Sequence, residues 1–243
     1  MTRARRVHHE PVSGPGCIVR LTPEEAHHVA HVLRLRSGEA VSVFDGRGGE
    51  WEATVLGSGR DGVEILVGEP RADRVDPRLS VTLYQGLCRA ERMDWAIQKA
   101  TEIGVASIQP VLTRRTEERP PSADRLERWR KIAREASKQS GRRFVPWVGE
   151  PRQPPCAVPE GTLGTLLVPS PSVPAFASAT VPAPDAVWLL VGPEGGLEPG
   201  EIEALERGGW RPSHLGPRTL RSETAGIVAC ALVLHAWDDL GSR

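Results

Sequence analysis

Two segments near the C-terminus combine glycines with ionisable side chains in a pattern suited to chemistry on a bound small molecule. The first is Val191-Gly192-Pro193-Glu194-Gly195-Gly196-Leu197, preceded by the apolar run Val187-Trp188-Leu189-Leu190. The second is His214-Leu215-Gly216-Pro217-Arg218-Thr219-Leu220-Arg221-Ser222-Glu223-Thr224-Ala225. Each reads as a short apolar strand that breaks at Gly-Pro and then opens a helix. Glycine has no Cβ, so main-chain N–H and C=O groups can come up against a ligand. Two such loops at the ends of neighbouring strands can wall one pocket. A triphosphate site is disfavoured. A P-loop places Lys and Ser/Thr after its last glycine, whereas Leu197-Glu198 follows Gly196 here. The GxGxxG fingerprint is also missing, and a glutamate-rich loop repels phosphate. Ser222 lacks a GxSxG elbow and reads as a helix N-cap. His27 and His31 have the i,i+4 spacing of metal ligands, but no HExxH and no third ligand accompany them, so no metal is expected.

The elements that must carry these loops follow from periodicity and punctuation. Thr22-Pro23-Glu24-Glu25 supplies a cap, a proline at N1 and a glutamate at N3, so a helix is predicted from there through Leu33 to Ser37-Gly38. Strands are predicted over Ala40 to Phe44, Glu50 to Leu56 and Gly62 to Val67, a small β-module of about 70 residues. The polar, proline-bounded stretch Glu69 to Pro77 reads as a linker. Strand–helix alternation then signals an α/β domain. Its strands are Leu79 to Gln85, Ile108 to Leu112, Leu163 to Val168 and the two opening segments. Its helices are Arg89 to Ile103, closed by Gly104, and Asp124 to Gln139. A Pro/Ser/Ala-rich loop covers Pro169 to Asp185. The last helix, Glu223 to Trp237, is apolar nearly all round and belongs in a core or an interface.

Bulk properties set the outer limits. With 243 residues the chain holds one large domain or two small ones. No apolar run approaches the roughly 20 residues that span a bilayer. The basic start, Met1 to Arg6, lacks the apolar stretch of a secretory signal. Cys17, Cys88, Cys156 and Cys230 are scattered without a CxxC pair, which fits a reducing, cytoplasmic location. Net charge is zero, yet Arg114 to Arg143 holds eleven Lys/Arg against five Asp/Glu, a local surplus that suits a polyanion.

The two glycine segments together resemble the paired signature of the 16S ribosomal RNA uridine-N3 methyltransferases of the SPOUT superfamily. Further blocks agree: Met93-Asp94-x-x-Ile97-Gln98-Lys99-Ala100-Thr101-Glu102-Ile103-Gly104, Gln139-Ser140-Gly141-Arg142, and His28-x-x-x-Val32-Leu33-Arg34-Leu35 with Phe44-Asp45-Gly46. Two departures stand out. Lys138 occupies a position where that family usually has glutamate, and Glu198 replaces the usual Ser/Thr cap before Pro199.

The resemblance implies an α/β fold: a C-terminal SPOUT methyltransferase domain with a deep trefoil knot over 77–243, and a small N-terminal PUA-like β-barrel domain over 1–70. It implies S-adenosylmethionine as cofactor, 16S rRNA within the 30S subunit as partner, and a homodimer through the C-terminal domain. The cofactor residues it implies are Leu167, Val168 and Pro169 from a first loop, then Gly192, Pro193, Glu194, Gly195 and Gly196. Leu215, Gly216, Pro217, Leu220, Arg221, Ser222, Thr224 and Ala225 complete that set. Arg221 is the catalytic candidate for stabilising developing charge, with Glu223 or Glu194 for proton removal. Arg5, Arg6, Arg34, Arg36 and Arg142 are the candidates for RNA phosphate contacts. The alternatives are an enzyme of the same superfamily with another RNA target, or a non-catalytic RNA-binding protein.

Overall fold

In a computed structural model, the structure describes residues 5–59, 62–72, 76–176, 184–237 and 240. Two compact units emerge, one of residues 1–76 with 137–145, the other of 77–136 with 146–243.

The first unit is built on a five-stranded sheet in the order β1-β3-β4-β5-β2. Its strands are β1 (Arg6–His8), β2 (Ile18–Arg20), β3 (Ala40–Phe44), β4 (Glu50–Gly59) and β5 (Gly62–Pro70). β3, β4, β5 and β2 pair antiparallel, whereas β1 joins β3 in parallel. Alternation sends Val41, Val43, Ala53, Val55, Val63, Ile65 and Val67 inward. The two short strands β1 and β2 were not expected: at three residues each, they are too brief to show a period. β5 also runs on through Pro70, into the stretch read as a linker, of which 73–75 lie outside the described residues.

The predicted long helix is corrected. Thr22 does cap α1 (Pro23–His27), its Oγ1 accepting from the N–H of Glu25 at 3.4 Å. The chain then widens into a π-helical turn, His28–Leu33, and stops at Arg34, whose φ of 54° is left-handed. The N–H of Leu35 bonds back to Val29 O at 3.0 Å. That reversal buries Leu35 beside Val29, which an uninterrupted helix to Gly38 would not do.

The second unit is a six-stranded parallel sheet in the order β11-β9-β10-β6-β7-β8. The strands are β6 (Ser80–Gly86), β7 (Ser107–Val111), β8 (Trp147–Val148), β9 (Thr162–Leu167), β10 (Ala186–Val191) and β11 (Arg211–Ser213). The helices are α2 (Ala90–Ile103), α3 (Ala123–Ser140), α4 (Pro199–Arg207) and α5 (Ser222–Ala236), except that the last turn of α3, 137–140, belongs to the first unit. α2 and α5 pack together, and α5 lies against β6 and β10. Met93, Ile97, Ala229, Cys230, Val233 and Leu234 are buried there. Tyr84, Leu166, Leu190, Leu205 and Trp210 form a separate core cluster, with Trp188 packed against it. α5 is buried on one side only, since Leu232 remains exposed. Two local expectations differ. β11 is Arg-Pro-Ser rather than an apolar run, and Ser222 is the first helical residue of α5, with Arg221 in the cap position. Of the loop expected over Pro169 to Asp185, 177–183 lie outside the described residues.

Candidate functional site

Parallel pairing brings four strand ends into one row. Gln85 of β6 lies beside Val191 of β10, which faces Leu167 of β9, which faces Ser213 of β11. Three loops therefore leave the carboxyl edge of the sheet side by side, at 168–170, 192–197 and 214–221. In open parallel sheets this edge is where ligands bind. A cavity of about 510 Å³ opens between the loops.

The loops approach each other through backbone. A Cβ on Gly86 would fall onto the backbone nitrogen of Pro193 and the carbonyl of Gly192. Gly192 itself lies close against Gly196, where a Cβ would meet the Gly196 carbonyl carbon at 3.1 Å. Gly196 and Gly216 have φ of 70° and 104°, values that L side chains rarely adopt. The Gly196 N–H donates to Pro193 O at 2.9 Å and closes the first loop as a turn. Gly195 O accepts from Arg115 Nη1 at 3.2 Å.

Ser222 ties the two glycine segments together. Its Oγ donates to Gly192 O at 2.6 Å and accepts from Gln85 Nε2 at 2.7 Å. All three groups are buried, so neither bond competes with water. Gly226 makes the contact possible, because a Cβ there would stand 2.7 Å from Gln85 Oε1. The residue expected to cap a helix fastens two loops instead.

Fourteen of the implied cofactor residues line the cavity: Leu167, Val168, Pro169, the whole run Gly192 to Gly196, Leu215, Gly216, Leu220, Arg221, Ser222 and Ala225. Pro217, Thr224 and Glu223 are not on its wall. Arg92, Arg115, Ile202 and Ser213, outside both glycine segments, are, although sequence reasoning missed them; Val191, Leu197, Arg218 and Thr219, within those segments, line it too. Arg221 is exposed at the cavity, while Glu223 is 5% exposed. Arg92 Nη1 donates to Glu194 Oε1 at 2.9 Å, and Arg92 Nε stands 3.8 Å from Glu223 Oε1. Burial, with the charges of Glu194 and Glu223 adding to it, pushes the nearby Cys88 thiol up to about 12. A nucleophilic thiolate at that position is thereby disfavoured.

The arginines singled out for RNA divide sharply. Arg34 and Arg36 are exposed beside His31, and Arg5 is exposed with an ion pair to Glu39 at 3.2 Å. Arg6 and Arg142 are buried. Arg6 Nε and Nη2 grip both oxygens of Glu50, at 2.9 and 3.2 Å, and its remaining donors reach Ser137 O, Lys138 O and Arg142 O. Arg142 Nε donates to Asp76 Oδ1 at 2.9 Å. Committed this way, neither guanidinium is presented to a phosphate, which corrects the expectation for these two positions. Lys138, the departure from the family pattern, pairs with buried Glu25 at 2.9 Å. Asp94 accepts from Arg128 and from Trp129 Nε1, a structural role. His27 and His31 stack at 4.4 Å, and no group of three or more potential metal ligands occurs among the described residues.

Known proteins match this architecture. The RNA methyltransferase domain family covers residues 75–234, and the RNA methyltransferase PUA domain covers 21–68. Ribosomal RNA small subunit methyltransferase E of Synechocystis is 35% identical over 223 residues, 88% of this chain and 72% of that one. The Mycobacterium bovis protein of the same name is 32% identical over 236 residues, covering 92% and 89%. The crystal structure of the Neisseria gonorrhoeae protein of that name, bound to S-adenosyl methionine, superposes with a TM-score of 0.87 at 29% identity, covering 96% and 98%. The chain is thus a PUA-bearing RNA methyltransferase with a mixed α/β fold, and it belongs to the ribosomal RNA small subunit methyltransferase E family.

Proposed function

We propose that this chain methylates N3 of a uridine in 16S ribosomal RNA, with S-adenosylmethionine as the methyl donor. The observation that carries the reading is the single cavity walled by both glycine segments at the carboxyl edge of the parallel sheet. Its chemistry fits the cofactor. Close-packed glycine backbone offers N–H and C=O groups to an adenosyl moiety, and apolar side chains of Leu167, Val191, Leu197 and Ile202 offer a surface for the flat base. Gly192 to Gly196 and Leu215 to Leu220 hold the adenosyl part. When bound, S-adenosylmethionine supplies an electrophilic methyl group on a positively charged sulfur.

The chain's own residues then handle the uracil. N3 is a poor nucleophile while protonated, because its lone pair is delocalised into the imide. A carboxylate, Glu194 or Glu223, takes the N3 proton. The charge left behind spreads over O2 and O4, where the exposed Arg221 guanidinium stabilises it. N3 lies on the Watson–Crick edge, so the uridine must be unpaired or flipped out.

The remaining assignments extend this reading. The N-terminal domain, residues 1–70, is a PUA-like barrel that contacts RNA through Arg5, Arg34 and Arg36. The C-terminal domain, 77–243, carries a deep trefoil knot and dimerises in part through the free apolar face of α5, where Leu232 is exposed. The enzyme acts in the cytoplasm on RNA within the 30S subunit. Methylation of 30S subunits, naked rRNA and tRNA, read by nucleoside mass spectrometry, tests the assignment. 3-Methyluridine in 16S rRNA is the expected product. Another modified nucleoside, or preference for tRNA, would refute it.

A further inference from the structure

Arg92 occupies a position that its own helix disfavours. It lies in the first turn of α2, where the positive end of the helix dipole makes a cation unwelcome. Its compensation comes from two other elements. Glu194, in the loop after β10, accepts from Arg92 Nη1 at 2.9 Å and from the Arg89 N–H at 3.4 Å. Glu223, in the first turn of α5, faces Arg92 Nε at 3.8 Å. Their placement differs. Glu194 and Arg92 line the cavity, whereas Glu223 is buried away from its wall, and its Oε2 has no hydrogen-bonding partner among the described residues. A buried carboxylate oxygen left without a partner is costly, and such groups concentrate where a function retains them. One guanidinium between two carboxylates also leaves the cluster one negative charge in excess, which a single proton neutralises.

We infer that Arg92 is a positioning residue, held from behind by Glu223, that fixes the Glu194 carboxylate at the cavity wall as the acceptor of the substrate proton. The inference rests on the methyltransferase reading and chooses between its two carboxylates. When the proton arrives on Glu194, Arg92 keeps Glu223 as counter-ion, so the guanidinium is never left bare. Glu223 then acts through Arg92 and touches neither substrate nor cofactor.

The test is a set of variants in the full chain, Arg92→Ala, Arg92→Lys, Glu223→Gln and the double variant Arg92→Ala/Glu223→Gln. Two readouts are compared, single-turnover methylation of 30S subunits and S-adenosylmethionine affinity by calorimetry. Arg92→Ala should slow methylation about a hundredfold while changing cofactor affinity only a few-fold. Lysine should restore part of the rate, since it returns the charge without the planar fork. The double variant should be no slower than Arg92→Ala alone, because one residue works through the other. Wild-type rates in Arg92→Ala, affinity lost in step with rate, or multiplied losses in the double variant would each overturn the inference. If Arg92→Ala does not fold, Arg92→Lys against Arg92→Lys/Glu223→Gln makes the same comparison. Failure of the wild-type protein to bind the cofactor or methylate RNA would instead refute the underlying reading.

Discussion

Two clusters of arginine and carboxylate, one in each unit, use the same chemistry to opposite ends. In the first unit, Arg6 and Arg143 converge on Glu50, and Arg142 holds Asp76, all of them nearly withdrawn from solvent. Arg6 spends its donors on both Glu50 oxygens and on three main-chain carbonyls, two of them in the last turn of α3. In the second unit, Arg92 faces two carboxylates, one on the cavity wall and one buried, with an oxygen that has no partner among the described residues. Closed pairing is what a buried charge needs in order to be structural. Open pairing beside a cavity leaves a group free to accept a proton. The same side chains are distinguished by the completeness of their hydrogen bonds.

The largest expected effect breaks the closed cluster. Glu50→Ala leaves Arg6 and Arg143 buried without a counter-ion and should cost about 3–5 kcal/mol in urea unfolding, with cofactor affinity of the folded protein unchanged. A loss below about 1 kcal/mol would place Glu50 with ordinary surface pairs. The same carboxylate predicts an acid sensitivity. Burial pushes Glu50 up, but the hydrogen bonds and charge of Arg6, with Ser42 and Arg143, outweigh it and hold the group below its ordinary value. Its contribution is therefore complete above the ordinary glutamate range and is lost as pH falls through the lower folded value. Stability of a Glu50→Gln variant should show a flatter acid limb than wild type; equal slopes would contradict the assignment.

The open cluster should respond in rate and hardly in stability. Glu194→Gln is expected to lower kcat by about 10²–10⁴-fold, while the unfolding midpoint stays within the range of surface substitutions. A large stability loss with kcat intact would make the two clusters alike. Ser222→Ala is the mildest break, since it removes one hydroxyl that both donates and accepts. It should weaken S-adenosylmethionine binding about tenfold, near the 1–3 kcal/mol of a buried group left unsatisfied. Ser222→Thr, which keeps the hydroxyl, should recover most of it. Equal binding by all three proteins would remove Ser222 from the account.

Local signals made part of this molecule legible in advance. Thr22-Pro23 placed a helix start, Gly104 closed α2, and the Gly-Pro breaks marked both cavity loops. What stayed hidden depends on residues far apart in the chain. Ser222 meets Gln85 across 137 positions, and Arg92 meets Glu194 across 102, so no window of sequence contains either pair. Arginine carries no mark of burial in its type, so Arg6 and Arg142 read as phosphate contacts in the sequence, whereas Glu50 and Asp76, far away along the chain, hold them buried. The π-helical turn at His28–Leu33 was missed because its apolar residues also satisfy an α-helical period.

Calorimetric titration with S-adenosylmethionine is the most direct test of the central claim, that the cavity at the strand ends is the cofactor site and the open cluster acts on the proton. Wild-type protein and Glu194→Gln should both bind, with similar affinity. Gly86→Ala, which drives a methyl group into the Gly192-Pro193 backbone, should lose binding while remaining folded. No heat with wild-type protein, or equal binding by Gly86→Ala, would contradict the account.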